Sequence, residues 1–148
     1  MIKIGIASDH RGYILKEQII DRLMNQYDIT DCGTTSEESV DYPDYAFKLG
    51  NLVADKDVDF GIAICGTGIG ISIACNKVKG VRCAKVDTKE EAIATRVDND
   101  SNIIAFGEKM PLEKAVELIT TFIETKASEE EKHVRRRQKI KEYEEEQC

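Results

Sequence analysis

Positive charge, proline, histidine and paired cysteines are all scarce in this chain of 148 residues, and each scarcity removes a class of protein. Lys and Arg number 21 against 28 Asp and Glu, a formal charge of −7. Nucleic acid is thereby excluded as the main partner, since affinity for a phosphate backbone rests on a cationic surplus. A small anionic ligand stays open, because it reads a local field and not the sum over the chain. Two Pro beside ten Gly rule out a linker-like or collagenous chain. The two histidines, His10 and His133, are far apart and show no metal-ligand spacing, so no metal is expected. Five cysteines (Cys32, Cys65, Cys75, Cys83 and Cys148) form an odd set without a Cys-x-x-Cys pair, which suggests neither a zinc site nor a disulfide framework. A reducing compartment is the default for such a set. The opening segment turns polar after Ala7, too early for a signal peptide, and no later apolar run reaches membrane-spanning length. A soluble cytoplasmic protein without a membrane partner is expected.

What is present is globular: 41% hydrophobic and 33% charged residues, in a length suited to one domain. A domain of that size buries about 70% of its unfolded surface. Strand formers at 2–7 precede a helical stripe within 13–27 (Ile14, Leu15, Ile19, Ile20, Leu23), and a weak second strand follows at 28–32. Helical spacing resumes at 45–54. Residues 58–65 are nearly continuous apolar, the pattern of a buried parallel strand, and end in glycines at 66–70. A helix is expected at 71–78, strands at 81–86 and 102–106, a helix at 89–96 between them, and a last helix at 112–125 opened by Pro111. Five strands alternating with helices imply an α/β fold, a Rossmann-like, doubly wound parallel sheet with helices on both faces. There is no internal repeat. Residues 127–148 form a charged arm, with acidic runs at 129–131 and 142–146 around a basic cluster at 132–137. It reads either as a solvated helix or as an arm that carries cations to an anionic site, including one on another subunit.

Ligands of parallel α/β sheets bind beyond the carboxyl ends of the strands. Three segments are expected there: Ser8-Asp9-His10, Cys65-Gly66-Thr67-Gly68-Ile69-Gly70, and Arg96-Val97-Asp98-Asn99-Asp100. Three glycines at alternate positions at the mouth of a helix let backbone N–H groups converge on negative charge. A Walker loop would end in Gly-Lys-Ser/Thr, but Ile71-Ser72 follows Gly70. A dinucleotide loop belongs after the first strand, not the third. A cysteine phosphatase would carry Arg where Ile71 stands. An oxyanion hole beside a thiol remains, with Cys65 as base or nucleophile. Cys32, Cys75 and Cys83 read instead as small buried hydrophobes.

Asp9-His10-Arg11-Gly12, Asp41-Tyr42-Pro43, Cys65-Gly66-Thr67-Gly68-Ile69-Gly70-Ile71-Ser72 with Asn76-Lys77, Asn99-Asp100 and Phe106-Gly107 resemble the type B ribose-5-phosphate isomerases and the related galactose- and allose-6-phosphate isomerases. The resemblance runs from the first strand to the arm. It implies a three-layer αβα sandwich that forms a homodimer or dimer of dimers. It also implies cofactor-free and metal-free isomerisation of a phosphorylated sugar through a cis-enediolate. Cys65 would then be the base alpha to the carbonyl, the segment Gly66, Gly68, Ile69 and Gly70 the enediolate cradle, and Thr67 a helper at the sugar oxygens. Asp9 and Asn99 would hold hydroxyls, with Tyr42 in the substrate-binding set. His10, Lys132 and Arg136 would bind phosphate, the arm reaching a site shared between subunits. Lys109 and Lys132 stand where arginine is expected, which keeps the charge and loses the bidentate fork.

The family's His-Asn-Asp, whose His opens the sugar ring, is here Asp98-Asn99-Asp100. A carboxylate of pKa about 3.9 accepts a proton at neutral pH but is a poor donor. Asp98 therefore serves as a base with the donor elsewhere, or the substrate arrives open, or the sugar is a hexose 6-phosphate. A sugar-phosphate-binding subunit that needs a partner chain is the alternative of another class, and the retained Cys65 and Thr67 speak against it.

Overall fold

The computed structural model describes residues 1–147; Cys148 lies outside them. The chain runs β1 (Lys3–Ser8), α1 (Tyr13–Leu23), β2 (Asp28–Asp31), α2 (Tyr42–Ala54), β3 (Phe60–Cys65), α3 (Ile69–Cys75), β4 (Cys83–Lys85), α4 (Lys89–Asn99), β5 (Ile103–Gly107), α5 (Leu112–Glu124) and α6 (Glu131–Glu146). The five strands form one parallel sheet in the order β2-β1-β3-β5-β4. The last two places are exchanged relative to chain order. The β4–β5 crossover therefore steps back across the sheet, as the β1–β2 crossover does. With right-handed crossovers, steps in opposite directions place their helices on opposite faces.

The two cores follow from that rule. One face packs Leu15, Ile19 and Leu23 of α1, Ala92 of α4 and Leu118 and Phe122 of α5 over Ile4, Ile6, Ile62, Ile64, Ile104 and Phe106. The other packs Ala46, Leu49 and Val53 of α2 and Ile71 and Cys75 of α3 over Ala7, Ala63 and Ala105. The architecture is the three-layer αβα sandwich.

Several boundaries differ from the sequence reading. Helix α2 starts at Tyr42, three residues early, because Pro43 falls in the first turn, where its missing N–H costs no hydrogen bond. Helix α3 starts at Ile69 and stops at Cys75, and α4 runs on to Asn99. Ile14, expected in the stripe of α1, is exposed; Lys16 is buried in its place, with Nζ 2.9 Å from Asp31 Oδ1 at the end of β2. Helix α6 is regular, yet it buries none of its residues.

Candidate active site

The connections leaving β1 and β3, parallel neighbours in the sheet, step in opposite directions, so the carboxyl ends of the two strands open a crevice at a topological switch point. Ser8 of β1 pairs with Ile64 of β3, and each strand delivers its next residue, Asp9 and Cys65, to that crevice. Cys65 is 4% exposed, and its Sγ accepts the N–H of Gly68 at 3.2 Å. Gly68 sits at φ +81°, and a Cβ there would lie 2.7 Å from the Phe106 backbone. Only glycine meets both conditions, and so the loop can wrap tightly onto the thiol. Thr67 Oγ1 accepts the N–H of Ile69 at 3.1 Å, which leaves its O–H free to donate. Tyr42 lies over Gly70, where an added Cβ would be 2.6 Å from the ring Cζ.

Asp9, 5% exposed, accepts the N–H groups of Arg11 at 3.0 Å and Gly12 at 3.1 Å through Oδ1, a turn that launches α1. His10 Nδ1 accepts the N–H of Val40 at 3.2 Å. The neutral ring then carries its proton on Nε2. Arg11 Nε donates to Glu108 Oε2 at 2.9 Å across the mouth of the crevice. A cleft of about 440 Å³ beside this pair is lined by Arg11, Gly66, Thr67, Asp87, Lys109 and Lys114, among others. A larger cavity of about 770 Å³ lies at the opposite, amino edge of the sheet, beside Ile2, Phe60, Arg82 and Asn102. Acids and bases are mixed there, and no thiol is present.

The structure thus brings together Asp9, His10, Tyr42, Cys65, Gly66, Thr67, Gly68, Ile69, Gly70 and Lys109. It does not bring Asp98, Asn99, Lys132 or Arg136 to them within one chain. The segment 96–100, expected beyond the carboxyl ends of the strands, is at the amino edge. Helix α4 leaves β4 at the carboxyl edge and runs antiparallel to the strands, so its last residues end beside the strand starts. There Arg82 Nε donates to Asn99 O at 2.9 Å, and Asn102 N donates to Arg82 O at 2.9 Å.

That corner has its own order. Arg96, 8% exposed, donates to Thr125 O at 3.1 Å, to Asp100 Oδ1 at 2.6 Å and to Ser101 O at 2.8 Å, while its guanidinium packs on Phe60 and Phe122. Arg137 of α6 donates to Ser128 O at 2.7 Å and to the carbonyls of Val97 and Asp98 at 3.4 Å. His133 Nε2 stands 3.4 Å from Asp98 Oδ1. Lys132 and Arg136 are exposed, four residues apart on one helix face, and neither has an ion-pair partner among the described residues.

Sequence reasoning missed the Arg11–Glu108 pair and the His133–Asp98 contact. Arg11 belongs to the Asp9-His10-Arg11-Gly12 segment, but its partner is 97 positions away, and no local signal joins them.

Comparison with known proteins agrees with this geometry. The model of the ribose/galactose isomerase family matches residues 4–140. The chain belongs to the ribose/galactose isomerase family. Its relatives in that family include a putative sugar phosphate isomerase, YwlF, of Bacillus subtilis, 50% identical over 74% of each chain. Ribose-5-phosphate isomerase B of Escherichia coli is 44% identical, again over 74% of each. Among solved structures, ribose-5-phosphate isomerase B of Clostridium thermocellum superposes with a TM-score of 0.94 at 43% identity, over 99% of this chain and 100% of that one. The Mycoplasma genitalium enzyme with bound ribulose-5-phosphate gives 0.90 at 36%, over 98% and 97%. This member of the family is an enzyme, an isomerase. No helix among its described residues is long and apolar enough to cross a membrane.

Proposed function

We propose that this isomerase interconverts ribose 5-phosphate and ribulose 5-phosphate through a cis-enediolate, with Cys65 as the base. The observation that carries the reading is the buried Cys65 thiol at the switch point, held by the Gly68 amide inside a loop of backbone donors. Its sulfur takes the proton from C2 of the open-chain aldose, and the charge moves onto the carbonyl oxygen. The amides of the 66–70 loop stabilise that oxygen, the hydroxyl proton passes to it from O2, and the proton on sulfur returns to C1. Thr67 donates its free hydroxyl to a sugar oxygen. Asp9 keeps Oδ2 for a substrate hydroxyl, and His10 offers Nε2–H to the phosphate, with Lys109 adding charge at the cleft. Tyr42 forms the wall over Gly70.

The site is completed by a second copy of the chain in a homodimer or dimer of dimers. Its Lys132 and Arg136 complete the phosphate site, and its Asp98 and Asn99 meet the sugar. The separation of these residues from Cys65 within one chain supports the reading, as do the two unpaired cations on one face of α6. Asp98 accepts the anomeric proton, with His133 Nε2 3.4 Å from its carboxylate. The compartment is the cytoplasm, in keeping with the free thiols of Cys32, Cys65, Cys75 and Cys83.

Asp98 also favours a second reading within the class, a hexose 6-phosphate substrate. Assaying ribose 5-phosphate, allose 6-phosphate and galactose 6-phosphate side by side decides between them. Turnover fastest on ribose 5-phosphate is expected. Preference for a hexose 6-phosphate replaces the first reading with the second, and turnover of none by the chain alone contradicts both.

A further inference from the structure

Two cysteines that the catalytic reading leaves unused flank the turn at the far end of α3. Asn76 clamps that end to the start of β4: its Nδ2 donates to Cys83 O at 2.9 Å, and its Oδ1 accepts the N–H of Cys83 at 2.8 Å. The clamp sets Cys75, the last residue of α3, beside Cys83, the first residue of β4, and both side chains pack into the core cluster beneath α2 and α3. Cys75 is fully buried in the core under α2, with its Sγ 3.9 Å from Ala46 O. Cys83 is half-buried on the edge strand of the sheet. One thiol is therefore within reach of a small solute, and the other is shielded in the core. Such a pair has the layout of an attacked and a resolving cysteine.

We propose that Cys75 and Cys83 form a dithiol modification site, which a peroxide oxidises to an intrachain disulfide closing residues 75–83. The Cys83 thiolate attacks one peroxide oxygen, the O–O bond breaks, and the departing hydroxide takes up a proton as water. Cys83 is left as a sulfenic acid. The Cys75 sulfur then attacks the Cys83 sulfur; the S–S bond forms, the S–O bond breaks, and hydroxide leaves with the Cys75 proton as a second water. In sum, two thiols give up two electrons and one hydrogen peroxide becomes two waters. The contact with Cys83, and then burial, push the Cys75 thiol up from its ordinary range, so Cys75 rests as a protonated thiol in the reduced protein. The site stands independently of the catalytic assignment, because neither sulfur is asked to touch substrate.

The test is treatment of the folded chain with hydrogen peroxide, followed by non-reducing peptide mapping, in wild type and in Cys65→Ser. A Cys75–Cys83 cross-linked peptide is expected in both, with the loss of two hydrogens and reversal by a thiol reductant. The oxidised chain should melt roughly 5–10 °C higher than the reduced one. Cys83→Ser and, independently, Cys75→Ala should abolish the cross-link, so a folding defect in one variant leaves the other to report. A cross-link of either residue to Cys65 or Cys148 overturns the proposal. So does over-oxidation of Cys83 without any cross-link.

Discussion

The carboxyl-edge crevice and the α4–α6 corner are both rich in polar groups, but they are built by different physics. The crevice is made of backbone: two adjacent strand ends, a loop turned through Gly68 at φ +81°, and a buried sulfur that accepts an amide N–H at 3.2 Å. Its parts are positioned by the sheet itself. The corner is made of long charged side chains on helix ends. Arg96 and Arg137 tie its carbonyls together, while Asp98 remains 53% exposed and Lys132 and Arg136 project from a helix that buries nothing. On the proposed reading, a chain that holds its base rigidly at one edge and leaves its spare cations exposed at the other carries half of a site at each end.

The largest expected effect lies in the crevice. Cys65→Ala should lower turnover by about 10²–10⁴, the range of a lost acid–base group, while sugar-phosphate binding persists. Stopped-flow isomerisation with parallel calorimetric titration checks it, and unchanged turnover removes Cys65 as the base. Gly68→Ala comes next. It forces a Cβ to 2.7 Å from the Phe106 backbone at a positive φ, with a cost of about 1–3 kcal/mol in stability and a loop displaced from the sulfur. Thermal melts together with kcat should both fall. A variant with full activity would mean that the cradle does not depend on this turn.

Effects at the corner should be smaller and different in kind. Arg136→Ala should raise KM for the phosphorylated sugar by about tenfold, the scale of about 1.4 kcal/mol from one lost charge contact, and leave a non-phosphorylated sugar unaffected. Equal losses for both sugars would remove the phosphate role. Asp98→His should speed turnover of the cyclic sugar by a few-fold and leave turnover of pre-opened substrate unchanged; an equal effect on both would place Asp98 outside ring opening.

The same contrast decides what could be read from sequence. Strands β1 and β3 announce themselves as apolar runs, and the glycine loop after β3 narrows to an oxyanion hole once Ile71-Ser72 excludes a Walker loop. Cys65 and its cradle were therefore legible. The exchange of β4 and β5 in the sheet was not, since nothing in either strand encodes its neighbour. The position of Asp98 was misread for a related reason. The motif at 96–100 points beyond the strand ends, but α4 returns to the amino edge over its 11 residues. The Lys132–Arg136 face was legible as charge on a helical arm, but its separation from Cys65 emerges only from the topology. Cys75 and Cys83 read singly as buried hydrophobes; what joins them is the Asn76 clamp, a contact across a turn.

The central claim is that a working site needs a carboxyl-edge crevice from one chain and an α4–α6 corner from another. Mixing equal amounts of the Cys65→Ala and Arg136→Ala chains, then dissociating and reassociating them, tests it directly. In a two-fold dimer, half of the reassorted pairs are hybrids, and each hybrid holds one site with both groups intact. Recovery of about a quarter of wild-type activity is predicted on that count, measured at substrate well below KM, where the Arg136→Ala chain alone is about tenfold slower. Activity that stays at the average of the two separate variants would contradict the shared site.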